Sequence, residues 1–327
     1  MKVLFIRLSS MGDIVLTTPA VRCLKQQMPQ IELHYLVKPE FAAIFDANPY
    51  IDRLWTLAPR LSDTLRQLRA EQYDYIIDLH GNWRSLRIKM ALWRVHSKTF
   101  DKLTFRKWLL TTWGINRLPD VHIVARYMAT LAHWHIVDDG KGLDYFIPSA
   151  YEVQIPQLFP QVGTQTYGAV VVGAAHATKQ IPDAQLIELC RQIAQPVVLL
   201  GGKADAERGI RIAKQVGSHV TNACGMLHLH QSASVLAQAD WVVTPDTGMM
   251  HIAAALGKRI LSVWGNTVPQ LGMYPYRAHA QSKQFEVAGL TCRPCSKLGY
   301  AKCPQGHFRC MADQNMAQIA VNTQQIE

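Results

Sequence analysis

Charge is scarce in this chain, and acids are scarcer than bases. Asp, Glu, Lys and Arg make up only 18% of its 327 residues against 49% hydrophobic residues, which excludes a disordered chain and an all-round solvated helical array. The 24 acids face 34 lysines and arginines, a net charge of +10, so the partners it favours are anionic: a phosphorylated substrate, an acidic lipid surface or nucleic acid. No apolar run approaches membrane-spanning length. The opening Val3-Leu4-Phe5-Ile6 is cut short by Arg7, too early for the apolar core of an export signal, so the chain is read as cytoplasmic. Neither G-x-G-x-x-G after Ile6 nor G-x-x-x-x-G-K-[ST] anywhere is present, which excludes the phosphate sites of dinucleotide enzymes and P-loop NTPases. Seven cysteines in a chain read as cytosolic argue against a disulfide framework.

What is there alternates. Short continuous apolar runs at 3–6, 32–37 and 75–79 have the pattern of strands covered on both faces, and helical segments such as 61–70 separate them. Pro19 is expected to restart a helix after the first turn, with Thr18 as its cap. Residues 146–168 hold Pro148, Pro156 and Pro160 with little periodicity and read as the link between domains. A second alternation follows, with strands expected at 169–172, 197–200, 241–244 and 259–263 and helices from about 183, over 204–216 and from about 248. The fold class is therefore α/β: two doubly wound, Rossmann-like domains, 1–160 and 161–327, facing a ligand cleft, with a final helix that packs back on the first.

Two strand-to-helix turns carry the chemistry. In Pro245-Asp246-Thr247-Gly248-Met249-Met250-His251 the glycine admits a ligand close to the backbone, and the amides of Thr247, Gly248 and Met249 at a helix start suit a diphosphate. An ordinary capped helix is the other reading of the same residues. Asp13, in Ser9-Ser10-Met11-Gly12-Asp13 after the first strand, stands either as a base at the ligand edge or as a helix cap. His251, one helical turn after Gly248, is equally consistent with a phosphate contact and a structural histidine.

Together with Asp78-Leu-His-Gly-Asn82, Lys179 and Gly201-Gly202, these segments resemble the ADP-heptose:lipopolysaccharide heptosyltransferases of glycosyltransferase family 9. The resemblance implies a GT-B fold: an acceptor-binding first domain, a nucleotide-sugar-binding second domain, and inverting, metal-independent transfer of heptose from ADP-L-glycero-β-D-manno-heptose to the lipid-A-linked inner core. It implies Asp13 as general base and Lys179 as the cation on the departing diphosphate. Ser10, Met11, Gly12, Glu207 (or Asp205), Asp246, Thr247, Gly248, Met249 and His251 are expected on the donor. No cofactor is expected beyond the ADP-sugar co-substrate. Another nucleotide sugar on the same fold, and an inactive binding protein for anionic lipid or nucleic acid, are the alternatives.

Residues 84–107 hold eight bases against the single acid Asp101, interleaved with Trp83, Trp93, Phe100, Phe105 and Trp108. That composition fits an anionic glycolipid acceptor at the cytosolic face of the inner membrane, with Asn82, Arg84 and Arg87 as acceptor contacts, or simply a solvated basic helix. No nucleic-acid-binding signature accompanies it. Cys292, Cys295, Cys303 and Cys310 crowd together, with one C-x-x-C knuckle: a structural zinc site or a reduced cysteine-rich loop.

Overall fold

The computed structural model describes residues 1–324, and the chain divides into two compact units. The first comprises Met1–Leu103 and Val121–Phe146; the second comprises Thr104–Asp120 and the chain from Ile147 onward.

The first unit is built on a five-stranded parallel sheet of order β3-β2-β1-β4-β5. Its strands are β1 (Lys2–Ile6), β2 (Glu32–Val37), β3 (Arg53–Thr56), β4 (Tyr75–Asp78) and β5 (His96–Thr99). The central β1 buries Val3 to Ile6 completely because helices cover both faces of the sheet, which is why it reads as a continuous apolar run. On one face Leu4, Ile6, Leu36 and Ile76 pack with Leu68 of α3 (Leu61–Ala70) and Ile88 of α4 (Trp83–Ala91). After β1 the chain makes the short α1 (Met11–Val15), then restarts as α2 (Thr18–Gln27); Pro19 lies in the first turn of α2, and the cap is Thr17, one residue earlier than expected. Arg22 of α2 is 2% exposed, and its guanidinium binds Asp139, Asp144 and the Gly142 carbonyl, which fastens the segment after α6 (Ile123–Met128) to the sheet.

The second unit has a six-stranded parallel sheet of order β11-β10-β9-β6-β7-β8. Its strands are β6 (Gly168–Val171), β7 (Val197–Leu200), β8 (Val220–Asn222), β9 (Trp241–Pro245), β10 (Arg259–Trp264) and β11 (Lys283–Glu286). Between them run α8 (Asp183–Arg191), α9 (Ala206–Val216), α10 (Leu229–Gln238) and α11 (Gly248–Ala255). Trp241 is fully buried across β6, and a Cβ at Gly168 would stand 1.9 Å from its ring, so only glycine lets the two strands pair.

Two expectations of organisation differ from what is observed. The passage between units falls at Phe146–Ile147 rather than 160–161, because Val153, Ile155 and Phe159, the latter two at the ends of α7 (Ile155–Leu158), are buried and Val153 hydrogen-bonds to Ser234 and Gln238 of α10. The helix α5 (Thr104–Trp113), sequential with the first unit, belongs with the second: Leu110 packs with Leu118, Val268 and Leu271. The last helices, α12 (Arg309–Ala312) and α13 (Met316–Val321), put Met311, Met316, Ile319 and Ala320 into the second unit's own core.

Candidate active site

In an open parallel sheet the ligand crevice lies beyond the strand carboxyl ends where the strand order reverses. The first sheet reverses between β1 and β4, whose ends are in register at Ile6 and Asp78. Ser10, Met11, Gly12 and Asp13 follow β1, and His80, Asn82, Arg84 and Arg87 follow β4, so both predicted clusters emerge at this edge.

Asp13 is held from both sides. Its Oδ1 takes an ion pair from Arg7 at 2.7 Å, and its Oδ2 accepts the Ser10 amide at 3.2 Å and hydroxyl at 2.8 Å. A carboxylate offers about four acceptor positions, so three bonds leave it room for one more proton donor. Burial alone pushes this carboxyl up, but the Arg7 charge and the Ser10 bonds outweigh it and hold Asp13 below the usual carboxylate range. It is therefore ionised at neutral pH. Asp13 is thus both the third residue of a capped helix and a solvent-touching carboxylate, its side chain 17% exposed. Arg7 is itself buried, donating also to the Ser9 and Leu79 carbonyls, and so ties β1 to the end of β4.

Asp78 organises the second loop. Its Oδ1 accepts the His80 and Gly81 amides, and its Oδ2 accepts Ser85 and pairs with Lys89 at 3.0 Å. Asn82 caps α4, accepting the Ser85 amide, and its amide nitrogen meets His80 Nε2 at 2.6 Å. Burial, followed by the Arg7 charge, depresses His80 to about 4, so the ring facing Asn82 is neutral. Arg84 and Arg87 are exposed on α4.

The second sheet reverses between β6 and β9. Lys179 lies in the loop after β6, and Asp246-Thr247-Gly248 is the turn from β9 into α11. Lys179 Nζ pairs with Asp246 Oδ2 at 2.6 Å, and that oxygen also accepts the Thr267 hydroxyl at 2.8 Å. Thr247, Gly248 and Met249 are partly exposed, and no side chain caps the first turn of α11. Uncapped amides at a helix start, beside a lysine, have the chemistry to receive an anion. A lone Asp246 there would repel an anion; its salt bridge removes that objection.

The remaining predicted residues are placed as follows. His251 is buried within α11, 2% exposed. Asp205 receives the Gly202 amide, and a Cβ on Gly173 would stand 2.2 Å from its carboxylate, so the loops after β6 and β7 are closely packed there. Glu207 is exposed in the first turn of α9. The four clustered cysteines are unpaired: Cys310 is buried, the other three are half-buried, and Cys292 Sγ lies 3.9 Å from His307 Nε2. Among the described residues, the side chains spaced to share one ion are Cys23 with Asp138 and Asp139, and Glu32 with His34 and Glu71, neither set from this segment. Lys2 and Arg53 already pair with Glu71, which makes the second set a neutralised network.

Sequence reasoning passed over Arg7 and Thr267. An arginine closing a buried apolar strand was the available signal for the first; nothing local marks the second.

Residues 62–301 match the profile of glycosyltransferase family 9 (heptosyltransferase). The chain belongs to this family. As a family 9 protein it is a glycosyltransferase, and the matched stretch includes Lys179 and the Asp246 turn. It is 28% identical to lipopolysaccharide heptosyltransferase 1 of Pseudomonas aeruginosa over 321 residues, covering 91% of this chain and 86% of that protein. The structure of a family 9 glycosyl transferase from Veillonella parvula superposes with a TM-score of 0.79 at 20% identity, over 98% of this chain and 95% of that one. The E. coli heptosyltransferase WaaC with ADP-2-deoxy-2-fluoro heptose gives 0.60 at 26% identity, over 82% and 90%. The family 9 fold is GT-B, with two Rossmann-like α/β units, as the two parallel sheets require.

Proposed function

We propose that this chain transfers heptose from ADP-L-glycero-β-D-manno-heptose to the inner core of a lipid-A-linked acceptor, with inversion and without a metal ion. The observation that carries the reading is the Lys179–Asp246 pair beside the uncapped amides of Thr247 to Met249 at the β6/β9 switch point. The ADP linkage and heptose rest on the relatives, one of which was solved with an ADP-heptose analogue.

In the reaction the acceptor hydroxyl oxygen bonds to the anomeric carbon, and its proton passes to Asp13. The bond from that carbon to the β-phosphate oxygen breaks, and its electron pair leaves with ADP. Charge grows on the diphosphate as the bond breaks, so fixed amides and the Lys179 ammonium hold the transition state more strongly than the bound donor. No divalent ion is needed for that neutralisation. Arg84 and Arg87 are suited to phosphates of the acceptor.

The chain is also proposed to rest on the cytosolic face of the inner membrane; among the described residues no helix is long and apolar enough to cross one. Trp83, Leu86, Met90 and Trp93 recur at helical spacing along α4 and the turn that ends it, and they are 68%, 42%, 61% and 73% exposed. Five bases and no acid fall between residues 84 and 98. An exposed apolar stripe within such a cationic field matches an anionic bilayer surface.

The melting temperature of the purified protein, measured against a panel of nucleotide sugars, tests the donor assignment, since selective binding stabilises the native state. ADP-heptose is expected to raise it. A response confined to UDP- or GDP-linked sugars would replace the heptosyl reading with another sugar on the same fold, and no response to any would overturn both.

A further inference from the structure

The cysteine-rich segment contains one side chain whose contacts reach the donor site. Arg293, between Cys292 and Cys295, is an arginine with a side chain only 6% exposed. Its Nε donates to the Gly265 carbonyl at 2.5 Å and one terminal nitrogen donates to the Val287 carbonyl at 2.9 Å. The other terminal nitrogen lies 3.1 Å from the Trp264 carbonyl, 3.0 Å from that of Thr267 and 3.1 Å from the Glu286 carboxylate. A planar fork of five N–H donors is thereby spent on the carboxyl ends of β10 and β11 and the turn between Gly265 and Thr267.

That turn is what presents the Thr267 hydroxyl, 1% exposed, to Asp246 Oδ2, the same oxygen that holds Lys179. The segment grips the lysine loop as well: Thr178, adjacent to Lys179, takes the Tyr300 amide on its hydroxyl at 2.8 Å and returns its own amide to the Tyr300 carbonyl at 3.2 Å. Two loops on different strands are held in register by one strap.

The geometry points to Arg293 as a positioning residue for the donor site: through the 265–267 turn it fixes Thr267 against Asp246, and so fixes the ammonium that meets the diphosphate. The inference rests on the donor-site reading above. Lysine in its place keeps the charge but cannot serve carbonyls on two strand ends at once, so the turn loosens and the Lys179–Asp246 pair loses its fixed place.

ADP binding by isothermal titration calorimetry separates positioning from bulk stability. Arg293→Lys is expected to weaken ADP binding on the order of tenfold and to raise the donor KM more than it lowers kcat, as befits loss of one charge-assisted network. Thr267→Val should weaken it similarly, and the double variant should be no worse than the weaker single one, because both act through Asp246. Arg259→Lys is the control: that buried arginine opens the same strand at its other end, binding the Thr323 and Gln324 carbonyls, and its loss should lower the melting temperature while ADP affinity holds. Wild-type ADP affinity in Arg293→Lys, or strictly additive losses in the double variant, overturns the inference alone. Failure of the wild-type chain to bind ADP overturns it together with the donor-site reading.

Discussion

A single guanidinium decides the charge state of Asp13. Buried carboxylates ordinarily become harder to ionise, yet Arg7 at 2.7 Å reverses the sign and keeps Asp13 charged. In the reaction proposed above, the proton on an attacking hydroxyl would meet an ionised acceptor across the neutral range, and activity should fall only where acid neutralises that carboxylate. Arg7→Met removes the opposing charge and leaves the burial, so the Asp13 pKa rises and the acid limb of the kcat profile shifts to higher pH. Arg7→Lys, which keeps the charge, should hold the limb near its original place. A limb that stays put in Arg7→Met would show that another group controls it. Arg7 also illustrates where sequence reading stops at this scale. Asp13 is singled out by its place just after the first apolar strand, and the roles given to it and to Lys179 come from the family resemblance. Arg7 reaches Asp13, Asp246 reaches Lys179 and Thr267 reaches Asp246 by side-chain contact, across 67 residues in the case of Lys179 and Asp246. No local pattern records such a distance, although Asp246 was found on the separate ground of its turn.

At the scale of elements, the central strands were readable and the edges were not. Strands 32–37 and 197–200 and helix 61–70 fall where their patterns predicted them. The unpredicted strands are β3, β5, β8 and β11, and every one is a sheet edge. Covered on fewer sides, they carry no continuous apolar run; β5 is His-Ser-Lys-Thr and exposed throughout. The basic, aromatic stretch 84–107 hid a second break, because composition flows smoothly across it while α4 packs on the first sheet and α5 on the second unit. The apolar stripe belongs to α4 and the turn that ends it. Replacing Trp83, Met90 and Trp93 together by serine should cut sedimentation with vesicles containing phosphatidylglycerol at least tenfold, since each apolar side chain withdrawn from the bilayer costs on the order of 1.4 kcal/mol or more. The melting temperature should stay near that of the parent, because all three are exposed. Undiminished sedimentation would assign the surface to solvent.

Across the whole molecule the division of labour follows the two sheets. Each unit's candidate residues lie at the point where its own strand order reverses: a carboxylate paired with Arg7 in the first, a helix-start turn with a lysine in the second. The fold class could be read because alternating apolar strands and helices dictate parallel sheets, whereas the point of passage between units could not. Proline-rich residues 147–160 resemble a linker in composition, but Val153, Ile155 and Phe159 are buried and the backbone of Val153 binds Ser234 and Gln238 of α10. The central claim of the proposed function is that Asp13 performs the proton transfer while Lys179 and the Asp246 turn hold the diphosphate. It is tested most directly by measuring ADP-heptose turnover and ADP affinity side by side in Asp13→Asn, with a melting curve to show that the variant is folded. The account predicts turnover reduced by about 10² to 10⁴, the usual worth of a positioned base, with ADP affinity unchanged. Turnover within a few-fold of the parent, in a folded variant that still binds ADP, would contradict it.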